Sequence, residues 1–292
     1  MQTPSSPPGS AERQGRGGLL ASRRLWKDAA RWLASLTGST GLHHDYVRFV
    51  VLGRSRTGSN YLRGLLASHP QAVVLGEVLK NPTAIEWGTD RPAAPPQAMD
   101  VYRHDPVAFL ETYVFGGQPL SVRALGFKLF YYHARTEPWA FIWPYLRTLE
   151  DLRVVHIKRR NILRTHLSRA QAERSDRWVN ASGEAEDHPP IELDYTACVR
   201  DFEQTRTWET EADAYFAGQA TLEVLYEDLV AEPRAQAARL QTFLGLPRRT
   251  LVPQTHRQAR LPLARAIANF ADLQRQFRGS PWESFFEDGL AR

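Results

Sequence analysis

The sequence predicts an α/β fold, a central parallel sheet with helices on both faces, and three observations predict it. Short apolar runs rich in β-branched residues recur along the chain and alternate with segments of helical periodicity. The first such run ends in a glycine-bearing loop that opens directly into a helical pattern. Length and composition, 292 residues with 42% hydrophobic, 24% charged and eight Trp, suit a globular chain with a sizeable core.

In chain order, residues 1–18 are rich in Pro, Ser and Gly and read as a disordered tail. Residues 19–37 space Leu, Trp and Ala at helical intervals with Arg and Lys opposite, a basic amphipathic helix. Such a helix either touches a membrane surface peripherally or docks on its own domain. With its linker it occupies 19–46, and the remaining 47–292 read as one domain. Strands are expected at 47–52 (VRFVVL), 72–75, 124–130, 152–158 and 221–226, each apolar and short. Helices are expected at 59–68, 138–149, 161–174, 193–216 and 233–244. The Pro-rich stretch 81–100 reads as irregular, and no internal repeat is visible.

Composition excludes several classes. A single cysteine, Cys198, forbids an intrachain disulfide and any multi-Cys zinc site. No uncharged apolar run reaches the roughly 18 residues of a membrane span. The opening residues lack the apolar core of a secretory signal, so a cytoplasmic protein is expected. The net charge of +5 is concentrated before the first strand: residues 1–46 hold six basic and three acidic side chains. The rest carries only +2, which is not the pattern of a nucleic-acid binder.

The strongest motif is GRSRTGSN, residues 53–60, between the first strand and the first helix. Glycines let backbone wrap an anion, and a helix N-terminus adds free N–H groups and a positive dipole end. Gly53 and Gly58 have the spacing of a nucleotide P-loop, but Ser59 and Asn60 stand where lysine and the magnesium-binding hydroxyl belong. Arg54 and Arg56 lie inside the loop instead. A sulfuryl donor carries less charge than a triphosphate, so arginines and amides suffice for it without a metal.

The segment FVVLGRSRTGSNYLRGLLASHPQAVVLGE resembles the opening of bacterial carbohydrate-type sulfotransferases, the nodulation-factor and trehalose enzymes that use 3′-phosphoadenosine 5′-phosphosulfate (PAPS). The resemblance spans about residues 47–280. It implies that Arg54, Arg56, Thr57, Gly58, Ser59 and Asn60 cradle the 5′-phosphosulfate, with Arg56 also serving catalysis electrostatically. In VVHIKRRNILRTHLS, Arg160 and Ser168 have the family's spacing for the 3′-phosphate, and Asn161 suits the cap of the next helix. Glu77 stands where family members carry the base for the acceptor hydroxyl, with His104 and His133 as rivals. Lys128, in LGFKLFYYH, resembles a family lysine aimed at the site, and a lone lysine in an apolar strand calls for a nearby anion. Lys128, His133 and Trp178 are the expected acceptor contacts, and Arg257, in a C-terminal segment that resembles the one closing over the nucleotide, is a further donor contact.

The expected function is sulfuryl transfer from PAPS, without a metal, to a hydroxyl of a carbohydrate or glycolipid. Two rivals are a P-loop nucleotide-dependent kinase and a non-enzymatic basic module that docks on membrane or nucleic acid. The acceptor's identity and the oligomeric state are not legible in the sequence.

Overall fold

The computed structural model describes residues 41–88, 95–175, 189–253 and 261–287. The tail at 1–18, the amphipathic segment at 19–37, Trp178 and Arg257 lie outside the described residues. In chain order the elements begin with β1 (Leu42–His43), β2 (Val47–Gly53), α1 (Ser59–Ala67) and β3 (Ala72–Leu75). Next come α2 (Pro96–His104), α3 (Pro106–Phe109), a π-turn at Leu110–Val114 and β4 (Gln118–Pro119). Beyond these lie β5 (Ala124–Phe130), α4 (Ile142–Thr148), β6 (Arg153–Lys158), α5 (Ile162–Ser175) and α6 (Tyr195–Tyr215). The chain closes with β7 (Ala220–Leu225), α7 (Tyr226–Ala231), α8 (Pro233–Phe243), α9 (Leu263–Ala266), α10 (Phe270–Gln276) and a 3-10 turn at Glu283–Phe286. Among the described residues no helix is long and apolar enough to cross a membrane.

Two compact units share these elements. In the smaller, β1 pairs antiparallel with β4. Pro96 opens α2 at a position where a missing N–H costs nothing. The Asp105 carboxylate caps α3 by accepting from the Ala108 N–H at 2.9 Å. The expectation of irregular chain over 81–100 is therefore corrected from residue 96 onward, because proline there starts a helix and does not break one.

In the larger unit five strands form a sheet in the order β3-β5-β2-β6-β7, every pair parallel. Alternate residues of β2 face opposite ways, as a period of two requires. Phe49 and Val51 join Leu62, Leu65 and Leu66 of α1 and Leu240 of α8 in a fully buried core. On the other face, Nδ1 of His156 lies 2.8 Å from the Asp213 carboxylate of α6, and Trp143 of α4 packs on Phe216. A second cluster joins Leu163 and Leu167 of α5 to Phe202 of α6 and to Leu273 and Phe277. All five predicted strands are present within one residue at each end. Helix α4 starts at Ile142, later than expected, because a turn closed by Trp139 N–H on the Thr136 carbonyl precedes it. Helix α7 begins at Tyr226, which was expected to end a strand.

The strand order reverses at β2. Chain connections lead from it to β3 and β5 on one side and to β6 and β7 on the other. A crevice outside the carboxyl ends of the strands is the usual result at such a point.

Candidate active site

That crevice is a cavity of about 1330 Å³ in the larger unit. Its walls come from the ends of all five strands: the loop after β2, the segment after β3, the turn after β5, the junction after β6 and Tyr226 directly after β7. The volume exceeds the roughly 300–1,000 Å³ of a site for one small ligand, so two reactants have room.

The loop after β2 forms the first wall. Gly58 has φ 93° and caps α1 without a side-chain hydrogen bond. A Cβ at Gly58 would overlap the ring of Tyr226, so both conformation and space demand glycine. The first amides of α1 have no intrahelical acceptor, and Gly58, Ser59 and Asn60 at this helix start line the cavity. Arg56, also left-handed at φ 68°, lines the cavity and donates from Nε to the Ser168 hydroxyl at 2.9 Å. Thr57 is buried, and its hydroxyl closes the loop by donating to the Arg54 carbonyl at 2.7 Å. Arg54 lines the cavity, but its guanidinium is tied to the Asp201 carboxylate and the Thr205 hydroxyl, over the Trp208 ring.

Asp201 of α6 is the hub of the cationic wall. It pairs with Arg54 and Arg169, and His166 Nδ1 lies 3.1 Å away. Burial raises its pKa, but His166, Arg169 and Arg54 together hold it at about 2. Burial and the Arg54 charge lower the Arg169 guanidinium to about 10. Arg159 lines the cavity, stacks over Tyr226 at 4.8 Å and donates to the Arg56 carbonyl at 3.1 Å.

The structure does not bring Arg160 to Ser168. Arg160 points at α7, where it makes a bidentate pair with Asp228 at 2.7 and 2.9 Å, while its backbone N–H donates to Glu227. The acidic first turn of α7 supplies partners at the end of β6, so a spacing of eight residues did not fix the direction of this side chain. The arginine that faces the cavity from this doublet is Arg159.

Opposite lies a buried charge cluster. Lys128 of β5, 3% exposed, donates from Nζ to Asn60 Oδ1 at 2.7 Å and to Glu77 Oε1 at 2.8 Å. An ammonium from a different strand thus reaches the loop that lacks the P-loop lysine. Burial raises the Glu77 pKa, but the bonded Lys128, His133 and Lys80 together outweigh it and keep the carboxyl below its ordinary value. Burial lowers the Lys128 pKa, with Glu77 opposing. His133 Nε2 lies 3.8 Å from Glu77 Oε2. His104 belongs to the other unit, is three-quarters exposed and pairs with Asp100. The rings of Phe130, Tyr132, Trp139 and Trp208 also line the cavity, with Tyr132 packed against Phe130 and Trp208.

Sequence reasoning missed Asp201, Arg159, Trp208 and Tyr132. Arg159 was signalled only by the doublet it forms with Arg160. Nothing local marks Asp201 or Trp208, which are ordinary positions of a long helix.

A family model described as "Sulfotransferase family" matches residues 48–250. Nodulation protein H of Rhizobium tropici is 29% identical over 247 residues, covering 82% of this chain and 92% of that protein. Nodulation protein H of Rhizobium meliloti (strain 1021) is 26% identical over 246 residues, covering 82% and 94%. A solved sulfotransferase from Alicyclobacillus acidocaldarius aligns with a TM-score of 0.46 at 16% identity, covering 82% of this chain and 93% of that one.

Proposed function

The chain belongs to the sulfotransferase family, and from that premise we propose that it moves a sulfuryl group from PAPS to a hydroxyl of a carbohydrate acceptor, in the cytoplasm and without a metal. The observation that carries this reading is the Lys128 ammonium, which touches both Asn60 of the anion loop and Glu77. One buried charge joins the wall suited to the donor to the carboxylate suited to the acceptor.

In this reading the amides of Gly58, Ser59 and Asn60, with Arg56, hold the 5′-phosphosulfate. Lys128 adds charge beside the sulfuryl oxygens. Glu77, ionised at neutral pH, takes the acceptor's proton as the hydroxyl oxygen bonds to sulfur and the bond from sulfur to the phosphate oxygen breaks. Ser168, held by Arg56, serves the 3′-phosphate. Arg160 joins it by exchanging Asp228 for phosphate. With Arg160 54% and Asp228 36% exposed, solvent screens the pair and a phosphate can compete for the guanidinium. The aromatic wall of Tyr132, Trp139 and Trp208 supports a sugar ring as the acceptor's body. The loop sequence disfavours a kinase, because Ser59 and Asn60 replace the lysine and magnesium hydroxyl.

A thermal-shift comparison tests the reading. Phosphoadenosine phosphate (PAP) at 100 times its dissociation constant stabilises by about 2.7 kcal/mol, and AMP at equal concentration should shift the protein far less. Transfer activity should survive EDTA. Equal shifts from AMP and PAP, or a need for added magnesium, would overturn the donor assignment.

A further inference from the structure

If sulfuryl transfer is the reaction, an acceptor hydroxyl loses its proton beside Glu77, and the geometry around His133 says what else holds that hydroxyl. His133 is 5% exposed, in the turn after β5. Its ring and backbone are fixed from several sides. The Phe130 N–H donates to Nδ1 at 3.3 Å, and the Trp143 indole donates to the His133 carbonyl at 2.8 Å. The rings of Phe130 and Tyr132 flank the imidazole at 5.0 and 5.2 Å.

A ring nitrogen that accepts from an N–H carries no proton, so neutral His133 holds its proton on Nε2. Nε2 and Glu77 Oε2 are 3.8 Å apart, beyond a direct hydrogen bond. The other carboxylate oxygen, Oε1, is already taken by Lys128. Both His133 and Glu77 line the cavity. Two atoms 3.8 Å apart can both reach one hydroxyl oxygen about 2.8 Å from each, set off the line that joins them. It would accept from Nε2–H and donate to Oε2.

We propose that His133 is the hydrogen-bond donor that seats the acceptor hydroxyl on Glu77, and that it is not the base. As the oxygen–sulfur bond forms and the sulfur–phosphate oxygen bond breaks, the hydroxyl proton passes to Glu77 Oε2. The electron pair leaves with the phosphate oxygen, and His133 keeps its own proton throughout. An imidazole in this tautomer turns no lone pair toward the acceptor, which removes it as a rival to Glu77. Electrostatics agree: burial draws its pKa down to about 4 against the pull of Glu77, and Lys128 and Lys80 lower it further.

The test uses the full chain, labelled PAPS and p-nitrophenyl β-glucoside as a neutral glycoside acceptor, with His133→Ala and His133→Gln. Glutamine places an N–H near the position of Nε2 but cannot titrate. His133→Ala should raise the glycoside KM about tenfold, the scale of one lost hydrogen bond, with PAP affinity unchanged as the check on folding. His133→Gln should recover most of that loss, and the acid limb of the pH–rate profile should stay where the wild type has it. Nitrogen NMR of the histidine rings should show His133 protonated on Nε2 and not titrating between pH 5 and 8. A proton on Nδ1, equal defects in both variants, or an acid limb that vanishes with His133 would overturn the proposal. A wild type that binds PAP yet transfers to no hydroxyl would instead sink the sulfuryl reading itself, and with it this role.

Discussion

The two oxygens of Glu77 have different partners, and that difference sets what single substitutions should do. Oε1 is bonded to Lys128 and Oε2 faces the imidazole of His133. If Glu77 is the base, Glu77→Gln keeps the shape and removes the proton acceptor, so turnover should fall by about 100- to 10,000-fold while PAP affinity holds. Lys128→Met leaves the carboxylate buried without its ammonium. The folded-state pKa of Glu77 is depressed by that ammonium, so removing it lets burial raise the value. The acid limb of the pH–rate profile should therefore move to higher pH in Lys128→Met, read from kcat/KM between pH 4 and 8. An unmoved limb would mean that Lys128 does not govern the base.

At the scale of elements, the site is made by the loops and helices that leave the carboxyl end of each strand. Helix α5 begins at a cap that the sequence predicts, with Asn161 Oδ1 accepting from the Arg164 N–H at 3.1 Å. About two turns farther along it presents Ser168 to Arg56. Helix α7, with Glu227 and Asp228 in its first turn, takes Arg160 away from the cavity. If Arg160 swings to the 3′-phosphate, Arg160→Ala and Ser168→Ala should each weaken PAP by about ten- to a hundredfold, the scale of charge-assisted hydrogen bonds. Arg160→Ala should leave AMP affinity unchanged, and Asp228→Asn should tighten PAP by freeing the guanidinium. Calorimetric titration with PAP and AMP reads all three. An unaltered PAP affinity in Arg160→Ala would leave the 3′-phosphate to the cavity-lining residues alone.

For the whole molecule, the buried histidines make stability depend on pH. Burial holds His156 at about 4, with Lys158 lowering it further and Asp213 and Glu223 opposing, and His133 has the same value. Both sit below the ordinary 6.5, so the unfolded chain binds more protons than the folded one between about 4 and 6.5. Stability must then rise with pH through that window and be lost on acidification. At pH 5 the loss is roughly 1–2 kcal/mol per histidine relative to pH 7. Asp201 acts lower: its contribution is complete above its ordinary 3.8 and disappears toward about 2. Urea unfolding at pH 7 and 5 checks this, and His156→Gln should flatten the difference. Equal stability at both pH values would contradict the buried neutral imidazoles.

Periodicity and glycine are local properties, and the features that depend on them were legible in the chain. The five strands, the loop from Gly53 to Asn60 and the cap at Asn161 arise from residues within a few positions of one another. Glu77 and Lys128 were legible as candidates through the motifs around them, but not as partners. Tertiary structure alone decided the sheet order, and with it which side chains meet. Lys128 reaches Asn60 across 68 residues and Glu77 across 51, because β5 inserts between β2 and β3. Arg56 meets Ser168 across 112 residues, while Arg160 turns to Asp228. A side chain at the end of a strand points wherever the neighbouring strands and the next helix leave it a partner, and spacing along the chain carries no record of those neighbours.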